Sequence, residues 1–227
     1  MGTARRRKTL AKSVIWMACL GPVVSLGLGA LAGDLGSNPI ETITHRTGWW
    51  ALSLLTVTLA VTPLRRLARR PGWIRYRRLL GLFAFFYATL HMLTYVVLDQ
   101  FFGWSYIVED IVERPFITIG LLAWLILLAL ALTSTSGWIR RLRKNWQRLH
   151  RLVYVAAIAA GVHFLWKVKA DTREPLVFLS IIAVLLAIRA WAPWKRRLPS
   201  AATRGRSEGL RTELEPREAP YGEAPLI

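Results

Sequence analysis

Two histidines lie deep inside stretches of the chain that carry no charge. His91 lies twelve residues after the start of the stretch at residues 79–98. His163 lies eleven residues after the start of a second stretch, residues 152–166. If each stretch is a helix, the two imidazoles lie ~18 Å and ~17 Å along their helices, which is about the same level. A histidine inside a membrane-length apolar helix is costly, so each is a candidate functional residue.

Two imidazoles at one level on neighbouring helices suit one kind of metal site. The iron of a haem takes one nitrogen ligand from each face, and the porphyrin fills the gap between two helices. His91 and His163 are therefore candidate axial ligands of haem iron. The alternative is a pair of histidines that only form hydrogen bonds between helices, which also occurs in membranes. The spacing alone leaves both interpretations open.

The other two histidines lie near the ends of apolar stretches. His150 stands thirteen residues before His163, which is ~20 Å along a helix and far enough away for a second haem iron. On a straight helix the two rings would point ~140° apart, so the helix bends or His150 acts from its first turn. The matching position on the other helix is Arg77, and arginine is an unusual iron ligand. The alternative is that His150 is only an interfacial histidine that binds no iron. His45 could contact a quinone, a haem propionate or a partner protein, or simply be exposed.

The elements that position these histidines are six uncharged stretches separated by clusters of charge, in a chain that is 54% hydrophobic. The first four approach or exceed the ~20 residues that a hydrocarbon core requires. The last two span only if charged side chains at their ends reach the headgroups. We predict an all-α polytopic membrane protein, a bundle of six transmembrane helices. The stretches are residues 13–33, 47–64, 79–98, 115–139, 152–166 and 175–188.

The net charge of +18 would suggest a nucleic-acid partner in a soluble chain, but its distribution indicates a membrane topology instead. Of the 31 Lys and Arg residues, 25 fall in the two termini and the loops on one side of the predicted bundle. We therefore expect both termini to be cytoplasmic, with a lipid membrane and no nucleic acid as partner. The longest outer loop contains acidic residues that could dock a partner protein, although ordinary loop solvation explains them equally well: Asp99, Glu109, Asp110 and Glu113.

The sequence divides into three expected regions. Residues 1–12 form a cytoplasmic basic N-terminus, residues 13–194 a six-helix haem-binding transmembrane domain, and residues 195–227 a cytoplasmic tail that we expect to be disordered. The short polar tail cannot form a nucleotide-binding domain, and the chain has no glycine-rich phosphate loop. We find no internal repeat at a fixed period, which disfavours a transporter built from paired halves.

Several strings of residues, in order and at characteristic spacing, resemble the MsrQ family, formerly YedZ. They include THRTGW at residues 44–49, ERPFIT at 113–118 and WQRLHRLVY at 146–154. The resemblance extends from about residue 38 to residue 166, and more loosely to residue 194. The remaining strings are residues 38–41, 62–66, 78–82, 87–91 and 132–135.

The resemblance implies a ferric-reductase-like transmembrane domain in the bacterial inner membrane that holds b-type haem and is associated with FMN. Family members are haem-binding subunits that take electrons from the quinone pool and pass them to a periplasmic molybdenum-cofactor methionine sulfoxide reductase. The family's haem histidines correspond to His91, His150 and His163. Relatives in the wider superfamily have two histidines on the third helix, whereas this chain has Arg77 at the inner place, which leaves the number of haems open.

The residues and the resemblance together predict an electron-transfer subunit rather than the catalytic subunit of an oxidoreductase. Electrons would enter from the quinone pool or a cytoplasmic flavin reductase, because the chain has no nicotinamide-binding domain, and would leave through the haem at His91 and His163. One alternative is the cytochrome b subunit of another membrane dehydrogenase. A second is a non-haem transporter or assembly protein whose histidines only bridge helices.

Overall fold

The computed structural model describes residues 2–69, 71–168 and 170–197, and every regular element within these residues is helical. Six helical segments are long and apolar enough to cross a membrane, which confirms the predicted all-α bundle. Most of the predicted tail, residues 198–227, lies outside the described residues. The α-helices are α1 (Gly2–Ala32), α2 (Pro39–Leu67), α3 (Arg77–Leu93), α4 (Trp104–Glu113), α5 (Pro115–Leu132), α6 (Ser136–Leu142), α7 (Lys144–Leu149), α8 (Val153–Lys167) and α9 (Arg173–Arg197).

The chain divides into two compact units, residues 1–187 and residues 188–227. In the first unit α2 packs most extensively against α3, and α5 against α8. Small residues make close helix contact possible, since Ala84, Ala156 and Ala157 have no exposed surface. In the second unit the described residues, 188–197, are helical.

Helix α2 begins eight residues before the predicted span at residues 47–64. The side chain of Asn38 caps the helix by accepting a hydrogen bond from the Glu41 backbone N–H at 3.2 Å, and Pro39 occupies the first turn, where its missing N–H costs nothing. The earlier start places His45 and Arg46 on the helix rather than on a loop.

Near Pro22 of helix α1, one backbone hydrogen bond of the helix is replaced by two hydrogen bonds to a side chain of α3. The Val23 N–H and the Cys19 carbonyl would form an ordinary helical hydrogen bond, but the hydroxyl of Tyr87 is inserted between them. Val23 donates to the Tyr87 oxygen at 3.1 Å, and that hydroxyl donates to the Cys19 carbonyl at 2.7 Å. A proline disturbs the helical ladder at its own turn, and an inserted side chain is a recognised way to satisfy the freed groups. Tyr87 therefore ties α1 to α3.

A π-helical turn (Thr94–Asp99) follows α3 and leads to the short helix α4. The turn and α4 are joined by the buried carboxylate of Asp110, which is 8% exposed. Tyr95 donates to this carboxylate at 2.7 Å, Gln100 donates at 3.2 Å, and Arg114 forms an ion pair at 3.1 Å. Every oxygen of Asp110 thus has a partner, as a buried charge requires.

The position of Asp110 corrects part of the interpretation of the acidic outer loop. Its carboxylate is buried and occupied, so it stabilises the loop and is not available to dock a partner. The other three acidic residues of that group are exposed: Asp99, Glu109 and Glu113.

Helix α5 ends at Leu132, seven residues before the end of the predicted span at residues 115–139. The hydroxyls of Thr133 and Ser134 bond back to the carbonyls one turn earlier, each at 2.7 Å, which competes with continuation of the helix. The side chain of Thr135 then accepts a hydrogen bond from the backbone N–H at the start of α6. The uncharged stretch at residues 115–139 predicts one continuous helix, but its hydroxyl residues end α5 at Leu132.

Candidate functional site

His91 on α3 and His163 on α8 are neighbours in the structure. Their imidazole rings have centroids 6.0 Å apart and planes inclined at 79°. Both side chains are partly exposed within the bundle. The structure thus brings together the two histidines that the sequence places at one level.

Each of these rings is oriented by a backbone carbonyl on a neighbouring helix. The Nδ1–H of His91 donates to the carbonyl of Thr44 at 2.9 Å, and the Nδ1–H of His163 donates to the carbonyl of Phe116 at 2.7 Å. Since a carbonyl only accepts, the proton must be on Nδ1, and Nε2 keeps its lone pair. Neither Nε2 forms a hydrogen bond with a residue in the described part of the chain. This is the arrangement that prepares a histidine to bind a metal through Nε2.

A glycine lies against each ring. A Cβ atom at Gly48 would be 3.0 Å from Nδ1 of His91, and a Cβ atom at Gly120 would be 2.7 Å from Nδ1 of His163. Both distances are shorter than ordinary van der Waals contact, so a side chain at either position would displace the ring. The close approach of α2 to α3, and of α5 to α8, depends on these two glycines.

The two halves of the site repeat the same interval along the chain. The residue whose carbonyl accepts the hydrogen bond precedes its histidine by 47 residues in both halves, and the glycine lies four residues after that residue in both. The halves are therefore offset by 72 residues. The repeat is confined to these few positions, and its trace in the sequence is a glycine followed 43 residues later by a histidine, once at Gly48 and once at Gly120. The charge and apolar patterns that predict the helices do not point to either glycine.

The geometry fits a metal held between two axial imidazoles. A metal–imidazole nitrogen bond is about 2 Å long and the ring centre lies about 1 Å beyond the nitrogen, so axial imidazoles place their ring centres about 6 Å apart. Among the described residues there is no group of three or more His, Cys, Asp or Glu that could hold a metal ion. A macrocycle such as haem is one group that would supply the remaining ligands of a metal held by His91 and His163.

His150 lies apart from this pair, in a 3₁₀ turn (His150–Leu152) that joins α7 to α8. Its ring stacks on Trp146 with centroids 3.9 Å apart, and its Nδ1–H donates to the Trp146 carbonyl at 3.2 Å. The Nε2 atom of His150 is buried and, by strict geometry, forms no hydrogen bond with a residue that the structure describes, although the carbonyl of Leu130 lies near the ring. Arg77, at the start of α3, is close enough to interact electrostatically with this ring. A buried ring nitrogen without a well-formed hydrogen bond is costly, and it is the group of His150 that would bind a second metal.

His45 lies at the exposed start of α2, close enough to His91 to act on it electrostatically. Its side chain is 47% exposed and its Nε2 lies 3.9 Å from Glu41 one turn earlier on α2. This long and exposed pair contributes little to stability. The position leaves the interfacial interpretation of His45 in place.

Comparison with known proteins places the chain in a family. Residues 47–161 match the family described as "Ferric reductase like transmembrane component". A protein of Xanthomonas axonopodis pv. citri (strain 306) is 48% identical over 197 residues, covering 84% of this chain and 90% of the relative. A protein of Herminiimonas arsenicoxydans is 48% identical over 203 residues, covering 88% and 93%. Both relatives are named "Protein-methionine-sulfoxide reductase heme-binding subunit MsrQ". With these matches and six membrane-length helices, the chain is a multi-pass membrane protein that belongs to the MsrQ family of ferric-reductase-like transmembrane proteins.

Proposed function

We propose that this chain is a membrane electron-transfer subunit in which His91 and His163 are the axial ligands of a b-type haem. The observation that carries the proposal is a pair of imidazoles whose ring centroids are 6.0 Å apart, each with its Nδ1–H donated to a carbonyl and with an Nε2 that no described residue bonds. The names of the relatives, which describe haem-binding subunits, support it.

The haem, when bound, supplies a metal that accepts and donates one electron at a time. The protein's residues do the rest. The carbonyls of Thr44 and Phe116 hold the rings in one tautomer and orientation, which raises the basicity of Nε2. Lys167 is exposed one turn beyond His163 and acts electrostatically on both imidazoles, so it is a suitable counter-charge for the haem carboxylates.

The proposed orientation follows from the charges in the connecting segments. We place the protein in the bacterial inner membrane with both termini in the cytoplasm, so that the haem between His91 and His163 lies in the outer half of the bilayer. From there electrons would pass to a periplasmic molybdenum-cofactor methionine sulfoxide reductase. The proposed domain division keeps residues 1–12 and 195–227 as cytoplasmic segments flanking the haem-binding domain at residues 13–194.

The proposed electron donors are the quinone pool or a cytoplasmic flavin reductase. A donor on the cytoplasmic side needs an intermediate carrier, and the buried Nε2 of His150, which no described residue bonds by strict geometry, supports a second haem there. FMN belongs to the proposal through family resemblance, and no described residue is assigned to it.

Absorption spectroscopy of the purified full-length chain, expressed with ample haem, tests this function. We expect a Soret band, and α and β bands that sharpen when dithionite is added. Oxidation of the reduced protein by a purified periplasmic methionine sulfoxide reductase would separate it from the cytochrome b subunit of another dehydrogenase. A protein that never shows a Soret band would instead be a transporter or assembly protein, and the proposal would be wrong.

A further inference from the structure

A cavity of about 290 Å³ lies between α1, α2 and α3, beside the histidine pair but separate from it. Pro22 and Ser25 of α1 form one wall, Arg46 and Trp50 of α2 form a second, and Tyr87 of α3 closes it. Its volume is near the lower end of the range for ligand sites, which suits a single substituted ring.

One wall of the cavity, Tyr87, is fixed in position by hydrogen bonds. The Tyr87 hydroxyl is held in place by its two hydrogen bonds, to Val23 and to the Cys19 carbonyl, and Tyr87 is 1% exposed. This contact sets the distance between α1 and α3 at the turn that contains Pro22. The shape of the cavity therefore depends on these two hydrogen bonds within the protein.

Three lining side chains carry hydrogen-bond donors that no residue in the described part of the chain uses. They are the guanidinium of Arg46, the hydroxyl of Ser25 and the indole N–H of Trp50. The other lining hydroxyls are occupied: Tyr87 donates to Cys19, and Thr47 donates to the Ile43 carbonyl at 2.7 Å. An aromatic wall with a few unused donors is typical of a small-molecule site whose ligand carries oxygen acceptors.

The cavity shares its walls with the proposed haem site. Thr47, which lines the cavity, is adjacent to Gly48, which contacts His91. Tyr87 lies one helical turn before His91 on α3. A redox-active ring in the cavity would thus lie against the turns of α2 and α3 that position His91, and electrons would reach the haem without a carrier on the cytoplasmic side.

We propose that this cavity binds the headgroup of a membrane quinol, with Arg46, Ser25 and Trp50 donating hydrogen bonds to its ring oxygens. The proposal rests on the haem function above and assigns a binding site to the quinol that would donate electrons. Oxidation of one quinol to quinone releases two electrons and two protons. A haem held by His91 and His163 would accept these electrons one at a time, and the protons would pass to water at the start of α2, where Glu41 and His45 are exposed.

The test compares reduction of the oxidised full-length haem protein by a short-chain quinol and by dithionite, followed at the haem α band. We expect Arg46→Gln and Ser25→Ala to slow quinol reduction, by at least tenfold for Arg46→Gln, with dithionite reduction unchanged. Trp50→Phe removes one N–H and should also slow the quinol reaction. Trp104→Phe is the matched control, because Trp104 lies on α4, is 65% exposed and does not line the cavity. Wild-type quinol rates in both Arg46→Gln and Ser25→Ala would overturn the assignment.

A second measurement is independent of haem. A photoreactive short-chain quinone should label α1 or α2 around the cavity in the wild-type protein and in the His91→Ala variant, and Arg46→Gln should reduce the labelling. If the wild-type protein is not labelled there, the cavity proposal fails even when the haem spectrum is normal. If labelling is competed by phosphatidylglycerol but not by quinol, the cavity is a lipid site and the proposal is wrong. A missing Soret band with intact labelling would instead reject only the haem function.

Discussion

Gly120 lies so close to His163 that a methyl group in its place would come within 2.7 Å of Nδ1 and 2.9 Å of Cε1. Gly48 stands in the same relation to His91, with the corresponding distances 3.0 Å and 3.1 Å. The glycines therefore decide where the imidazoles lie, and through them where an iron between the rings would be held.

We predict that Gly120→Ala displaces the His163 ring, breaks its hydrogen bond to the Phe116 carbonyl, and lowers the haem content severalfold. Gly48→Ala should act in the same direction but more weakly, because its contact is longer. The haem-to-protein ratio and the reduced-minus-oxidised spectrum measure the effect. Gly27→Ala is the matched control, since nothing lies within 4 Å of a Cβ at that helical position. Equal haem content in Gly120→Ala and Gly27→Ala would contradict the positioning role.

The histidine pair itself makes the most direct prediction. His163→Ala should abolish the low-spin haem spectrum while the protein still inserts into the membrane, because one axial ligand is lost and the helix surface is otherwise kept. His91→Ala should do the same. Free imidazole added to the purified His163→Ala protein should restore part of the low-spin signal by filling the vacated side of the iron. An unchanged spectrum in both variants would reject the ligand assignment.

His150→Ala tests whether the buried nitrogen in the 3₁₀ turn holds a separate haem. We expect the haem-to-protein ratio to fall by about half relative to the wild-type protein, with the spectrum of the remaining haem unchanged, since His150 is ~20 Å along the chain from His163. His45→Ala, at an exposed position outside both sites, serves as the control. A ratio equal to that of the wild-type protein would mean that His150 holds no haem of its own.

The features that the sequence predicts correctly are those that depend on counting along the chain. Uncharged runs identify the six spans, and the distance of each histidine from the start of its run is enough to predict that His91 and His163 lie at one level. The sequence also contains the information that predicts where α2 begins, because Asn38 and Pro39 are residues that commonly start a helix.

Other features depend on contacts between distant residues, which no local pattern specifies. The hydrogen bonds of Tyr87 join residues 64 and 68 positions apart. The 3₁₀ turn at His150 changes the rotation expected for a straight helix, and burial of Asp110 requires knowing that α4 folds back on the π-helical turn. The glycine-to-histidine interval is visible in the sequence, but only the contacts show why it matters.

The Tyr87 bridge predicts a stability effect that is separate from haem binding. Tyr87→Phe keeps the ring but removes the hydroxyl, which leaves the Val23 N–H and the Cys19 carbonyl without their shared partner in a buried position. Loss of such a partner costs about 1–3 kcal/mol, so the free energy of unfolding should fall by that amount. Unfolding in mixed detergent measures it, and the low-spin haem spectrum of the folded protein should be retained.

Tyr106→Phe is the matched control for this bridge, because Tyr106 is 65% exposed and its hydroxyl makes no hydrogen bond with a residue that the structure describes. The same change at Tyr106 should leave the free energy of unfolding within about 0.5 kcal/mol of the wild-type value. If the two variants are equally stable, the hydroxyl does not repair the break in α1, and the wall of the proposed quinol cavity would need another support.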